Sequence, residues 1–166
     1  TGADIVALAK PYMESLSKTY GETVNLARLT GDQIIYVRIL ESNHSFRISD
    51  DIGDRASIHS TAIGRAIAAF LPEAMLKEIL RNTTYTQFTR KTITDESSLR
   101  KHLLMVREQG YSLDDEEGHD GVLCIGAPIF NKEHIPFAAM SLSMPKVRAK
   151  KKVLESMIRD LPKVAI

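Results

Sequence analysis

Apolar residues recur at two different periods along this chain, and the changes of period divide it into helices and strands. Ile5, Leu8, Ala9, Tyr12, Met13 and Leu16 follow the three-to-four spacing of one helical face. Asp4 stands where an early acid complements the helix dipole, and Gly21 ends the segment. Pro11 interrupts it at a cost of ~3 kcal/mol for a helix interior, which predicts a kink or a late start. The period then drops to two. Glu22 to Leu29 and Gln33 to Leu40 are rich in β-branched and apolar residues, with Thr30-Gly31-Asp32 as hairpin chemistry between them. A third short strand is expected around Ser45 to Ser49. Asp50 to Asp54 follows as a loop in which Gly53 is free to take a positive φ.

Helical spacing returns from Ser60, where Ile63, Ala66, Ile67, Phe70 and Leu71 share a face and Ser57, Ser60 and Thr61 are candidate N-caps. Pro72 opens a second short helix with Met75, Leu76, Ile79 and Leu80 toward the core. A Thr-rich linker runs from Asn82 to Thr92. Thr94-Asp95-Glu96 then starts a helix carrying Leu99, Leu103 and Val106, which Gly110 stops. Tyr111 to Leu113 reads as a short strand, with an acidic loop after it. Val122 to Ile129 and Phe137 to Ser143 read as an antiparallel pair across Asn131-Lys132-Glu133-His134. A basic amphipathic helix closes the chain, with Val153, Leu154, Met157, Ile158 and Leu161 inside. Strands grouped apart from helices predict an α+β fold with a mostly antiparallel sheet of about six strands.

Composition narrows the function classes. At 166 residues the chain fits one domain, residues 1–166, since two halves would each have a thin core. Its 43% hydrophobic and 26% charged residues exclude a disordered chain, and no apolar run reaches the ~18–20 residues of a membrane span. The single cysteine, Cys124, forms no internal disulfide, so the chain is expected to be cytoplasmic. A net charge of +1 is too balanced to suggest a nucleic-acid binder. Charge is nevertheless patterned: Asp114, Asp115, Glu116, Glu117 and Asp120 form an acidic run, and Lys146, Arg148, Lys150, Lys151 and Lys152 a basic one. Both are read first as solvated faces.

Familiar catalytic motifs are missing. The chain has no Walker loop, dinucleotide fingerprint, nucleophile elbow or paired-histidine zinc helix, and one cysteine excludes a zinc deaminase. The positive signal lies in the last two strands. Alternation puts Val122, Cys124 and Gly126 on one face, and Ser141 and Ser143 share one face of the neighbour. Leu123, Ile125, Ala127, Met140, Leu142 and Met144 make the opposite side continuous hydrocarbon. A thiol, two hydroxyls and a bare glycine suit a pocket for a small polar ligand. The competing reading is a solvent-facing sheet surface. Ser57 to Ala66, a helix start loaded with hydroxyls and small residues, favours the pocket, because first-turn amides attract carboxylates and Ala62 permits close approach.

Five blocks also resemble the effector-binding domain of IclR-type bacterial transcription regulators. They are Gly21-Glu22-Thr23-Val24-Asn25-Leu26-Ala27, His59-Ser60-Thr61-Ala62-Ile63-Gly64-Arg65-Ala66, Val106-Arg107-Glu108-Gln109-Gly110-Tyr111, Asp114-Asp115-Glu116-Glu117 and Gly121 to Ile129. The resemblance runs over nearly the whole chain, to Ser141-Leu142-Ser143-Met144-Pro145. It implies a GAF-like domain whose curved sheet cups a small molecule. It further implies that a winged helix-turn-helix unit, absent from this chain, contacts operator DNA, and that the domain pairs with itself as a dimer or tetramer. By position the family's pocket falls on Ala62 and Ile63, Asp114 in the acidic loop, Val122, Cys124, Ser141 and Ser143. Helix-start amides and serine hydroxyls would hold the carboxylate of a small organic acid, and Asp114 would accept from a ligand hydroxyl or a bound water, or meet a metal. The segment from Ser45 to Ala56 would form a lid with Phe46 and Ile48 as lining. No cofactor, dedicated metal site or membrane partner is implied.

Two other functions are weighed against this one. An enzyme would use Cys124 as nucleophile with His59 or His119 as base, whereas most buried cysteines are small apolar packers. A purely structural oligomerisation module would keep only a degenerate cup. Asp114, His119 and Asp120 have the chemistry of a metal site, but a solvated acidic loop is the reading preferred. The basic terminal helix is likewise read as a solvated face, with phosphate contacts or another subunit's acidic loop as alternatives.

Overall fold

The computed structural model describes residues 2–48 and 50–161, with side chains from Ile5 onward. Six strands form one sheet: β1 (Thr23–Thr30), β2 (Gln33–Leu40), β3 (Arg55–Ser57), β4 (Ser112–Asp115), β5 (Val122–Phe130) and β6 (Pro136–Pro145). Their spatial order is β3-β2-β1-β6-β5-β4, and each neighbouring pair is antiparallel. Among the described residues five α-helices accompany the sheet: α1 (Gly2–Tyr20), α2 (Ala62–Ala68), α3 (Glu73–Asn82), α4 (Glu96–Gln109) and α5 (Lys151–Asp160). This is the α+β fold with an antiparallel, six-stranded sheet that the chain's pattern predicts, and the sheet is curled as the family resemblance implies. Among the described residues, no helix is long and apolar enough to cross a membrane.

The sheet buries hydrocarbon on both faces. Against one face α1 and α5 pack Met13, Leu16 and Met157 onto Val24, Leu26, Ile125, Met140 and Leu142. Against the other, α2, α3 and α4 pack Ile63, Ile67, Leu80, Leu99 and Val106 around Ala27, Ile34 and Ala139. Each of the larger of these side chains contributes about 1.5–3 kcal/mol by leaving water. Two glycines bring α2 directly onto its neighbours. A Cβ on Gly126 would lie 2.9 Å from the carbonyl oxygen of Ala62, and one on Gly64 only 2.6 Å from Ile58 Cα. The start of α2 is therefore pressed onto β5, where the site forms.

Several local expectations need correction. α1 stays helical from Gly2 through Pro11, so there is no late start. Pro11 supplies no N–H for the carbonyl of Ala7, but both residues lie on the exposed face, where water can serve that carbonyl. Leu8 and Tyr12 are exposed, which narrows the buried stripe to Ile5, Ala9, Met13 and Leu16. Met75 and Val153 also face outward. The dipole role given to Asp4 falls outside the described side chains. No strand spans Ser45 to Ile48, and Ser49 lies outside the described residues; the third strand is instead Arg55–Ser57, paired with the start of β2. Nor is the whole acidic run a loop. Asp114 and Asp115 belong to β4, paired with Cys124 and Leu123.

Candidate functional site

Register across four strands assembles the wall of the site. Asp114 pairs with Cys124, Cys124 with Ser143, and Ser141 with Asn25, so β4, β5, β6 and β1 each contribute a polar group to one face. A cavity of about 600 Å³ opens over that face beneath the first turn of α2. Ala62, Ile63, Asp114, Val122, Cys124, Ser141 and Ser143, all singled out from the sequence, line it together. Ser141 and Ser143 are buried, so this face is not a solvated sheet surface. Of the two lid residues, Ile48 lines the cavity, its carbonyl held by the Thr23 hydroxyl. Phe46 does not. It is 65% exposed and lies under the guanidinium of Arg148, 5.8 Å from the ring centroid.

Hydrogen bonds fix the polar groups in place. Asn25 Nδ2 donates to Ser141 Oγ (3.1 Å) and Ser143 Oγ (3.0 Å), and Ser143 Oγ lies 3.1 Å from Cys124 Sγ. Asp114 Oδ1 accepts from the backbone N–H groups of Glu117 (2.8 Å) and Gly118 (3.3 Å). The Ser112 hydroxyl donates to the carbonyl of Ala62, tying β4 to α2. At the helix start Thr61 caps Gly64 N–H at 3.0 Å. Behind the wall, the wholly buried Arg65 holds Glu117 through two bonds of 2.7 and 3.0 Å and reaches the Leu113 carbonyl at 2.9 Å. This pair anchors the turn that supplies the amides to Asp114.

Burial dominates the electrostatics here. It raises Asp114 to about 6, against the opposing pull of Arg65 and the two backbone donors. It also raises the Cys124 thiol to about 12, helped by the Asp114 charge. A thiol so placed is protonated at neutral pH and is no activated nucleophile. The histidines proposed as its base are otherwise engaged. His59 Nε2 lies 2.9 Å from the Thr86 carbonyl and its ring packs against Tyr85 and Phe88, and burial lowers its pKa. His119 lines the cavity, but its Nδ1 lies 2.8 Å from the Asp120 carbonyl. Among the described residues no three His, Cys, Asp or Glu side chains converge as a metal site would require.

The acidic run is solvated in part and also paired with cations. Lys146 reaches Asp115 (2.8 Å) and Glu116 (3.1 Å), Lys91 reaches both at 3.8 and 3.3 Å, and Glu116 also accepts from Gly121 N–H. These bonds, the Gly121 amide first, lower Glu116 to about 2. Part of the basic run thus answers the acidic run within one chain, while Arg148 binds Glu22 at 2.7 Å.

Sequence reasoning missed several lining or supporting residues. Tyr36 and Asp50, hydrogen-bonded to each other, border the cavity with Arg47, Arg55 and Phe88. Asn25 supports both serines from β1. A signal existed for two of them: Tyr36 shares parity with the core residue Ile34, and Asn25 with Thr23 and Ala27.

Comparison with known proteins places this geometry. A family model described as bacterial transcriptional regulator IclR C-terminal matches residues 1–166. The HTH-type transcriptional regulator KdgR of Escherichia coli is 34% identical over 158 residues, covering 95% of this chain and 60% of the relative. XynR, another HTH-type regulator of E. coli, is 39% identical over 140 residues, covering 84% of this chain and 56% of the relative. The crystal structure of the C-terminal domain of E. coli KdgR aligns with a TM-score of 0.86 at 34% identity, covering 95% of this chain and 92% of that one. Thermotoga maritima IclR aligns with a TM-score of 0.90 at 32% identity, over 95% of this chain and 64% of that one. The chain thus spans 60% and 56% of the lengths of KdgR and XynR. Family match, relatives and fold agree: the chain belongs to the IclR family of bacterial transcriptional regulators, as its C-terminal domain, a family of regulators and not of enzymes.

Proposed function

We propose that this chain is a ligand-sensing domain, and that a small organic acid in the cavity controls operator binding by an N-terminal DNA-binding domain of the whole protein. One observation carries the reading: seven residues from α2, β4, β5 and β6 converge on a single cavity of about 600 Å³, within the size range of small-molecule sites. The serine hydroxyls, with the backbone of Ala62 and Ile63, receive the carboxylate. Asp114 accepts from a ligand hydroxyl through Oδ2, and Val122 and Cys124 form the apolar wall. Occupancy shifts the balance between arrangements of self-paired domains, dimer or tetramer, in the cytoplasm.

Calorimetry against a panel of small carboxylic acids tests this. Saturable heat is expected for at least one acid, weakened at least about tenfold by Ser143→Ala or Asp114→Ala, equivalent to about 1.4 kcal/mol. Absence of heat across the panel sinks the proposal, as does binding that both variants leave intact.

A further inference from the structure

Asn25 lies fully buried on β1, opposite Ser141 in register, with Ser143 two residues further along β6. Its Nδ2 stands between the two serine oxygens at 3.1 and 3.0 Å. An amide nitrogen can only donate, so both serine oxygens accept, and each hydroxyl proton must be directed elsewhere. Ser141 makes no other side-chain hydrogen bond among the described residues; Ser143 shares one with Cys124 Sγ, and with the protonated thiol as its donor the serine proton is left for the cavity. Both serines line the cavity. The reversed amide would let Oδ1 take both hydroxyl protons and would strand two buried N–H donors. The observed orientation strands only Oδ1, which costs less.

We infer that Asn25 is a positioning residue that sets Ser141 and Ser143 as paired donors into the cavity, so that the site selects a carboxylate over its neutral amide. Two O–H donors match the two acceptor oxygens of a carboxylate. A carboxamide offers one oxygen and an NH₂ group that opposes an O–H. Asn25 acts through the serines and need not touch the ligand. The inference rests on the sensing function proposed above.

The test uses acetate, lactate and pyruvate, each paired with its amide, titrated calorimetrically into the chain and into Asn25→Leu, which keeps similar bulk without donors. The ratio of acid to amide affinity is expected to fall at least about fivefold in Asn25→Leu, roughly the effect of one hydrogen bond. Ser141→Ala should cost much less in that background than alone, the coupling expected of residues acting as a unit. A ligand-free readout covers the case in which Asn25→Leu does not fold. In ¹⁵N spectra both Asn25 Nδ2 protons should be protected from exchange, with Ser141→Ala and Ser143→Ala each releasing one. Freely exchanging Nδ2 protons, or an unchanged affinity ratio in folded Asn25→Leu, overturn the inference while leaving the sensing function standing. Absence of heat from the unsubstituted chain across the whole panel of carboxylic acids, these three included, overturns both.

Discussion

At Asp114 burial competes with stabilising contacts and wins. Its pKa stands at about 6 in the folded chain against 3.8 for an unperturbed aspartate, despite Arg65 and two backbone donors. A carboxyl raised on folding contributes stability that is whole below pH 3.8 and is lost as pH climbs to about 6. Asp114→Asn keeps the Oδ1 acceptor for Glu117 and Gly118 and never ionises. In urea unfolding, the stability of Asp114→Asn relative to the unsubstituted chain should therefore grow between pH 4 and 7, by at most about 3 kcal/mol. A difference independent of pH would refute the assignment. That Cys124, Ser141 and Ser143 share one hollow was legible from strand parity within a local hairpin, whereas Asp114 joined them only through the family resemblance. Asn25 carries the same parity signal but escaped notice, because its meaning depends on β1 lying beside β6. That pairing closes a loop of more than a hundred residues, and nothing local in either strand specifies it.

Among elements, the contact of α2 with the turn after β4 controls the shape of the site. Arg65 on α2 is wholly buried, and Glu117 is its only carboxylate partner among the described residues. Glu117→Ala strands a guanidinium in the interior, a loss of about 3–5 kcal/mol, and frees the turn that donates to Asp114. Thermal unfolding should show the large loss for Glu117→Ala and a much smaller one for Arg65→Met combined with Glu117→Leu, which removes both charges together. Equal losses would mean the ion pair is not the anchor. Elements with strong local patterns, such as β2 and α4, were legible nearly to the residue: β2 spans Gln33–Leu40, and α4 runs from its Asp95 cap to Gly110 at φ +87°. The third strand was not. Phe46 and Ile48 imitate strand alternation, yet no neighbouring edge takes them up. Arg55-Ala56-Ser57 has little strand propensity and becomes β3 because the edge of β2 offers it partners.

The whole molecule divides its labour between the two faces of one sheet. On the face toward α1 and α5, alternate residues of β5 and β6 are buried hydrocarbon; on the other, Val122, Cys124, Ser141 and Ser143 line the cavity, with Ala139 packed beyond it under α2. Because successive side chains point to opposite faces, stability and ligand recognition can be altered separately within the same two strands. Met140 and Cys124 make the comparison. Met140→Ala empties a fully buried position between the sheet and α1, and should cost about 2–5 kcal/mol in chemical unfolding. The chain that remains folded should still give the heat of acid binding, since the cavity wall is untouched. Cys124→Trp places a large ring into the hollow instead of into packed hydrocarbon. It should abolish that heat while shifting the unfolding midpoint little, because the added bulk meets open space. If Cys124→Trp instead unfolds the chain, the thiol belongs to the packed core and the hollow is too small to receive a ligand. If Met140→Ala abolishes binding in a chain that remains folded, the faces are coupled, and the outer helices must be counted as part of the sensing apparatus.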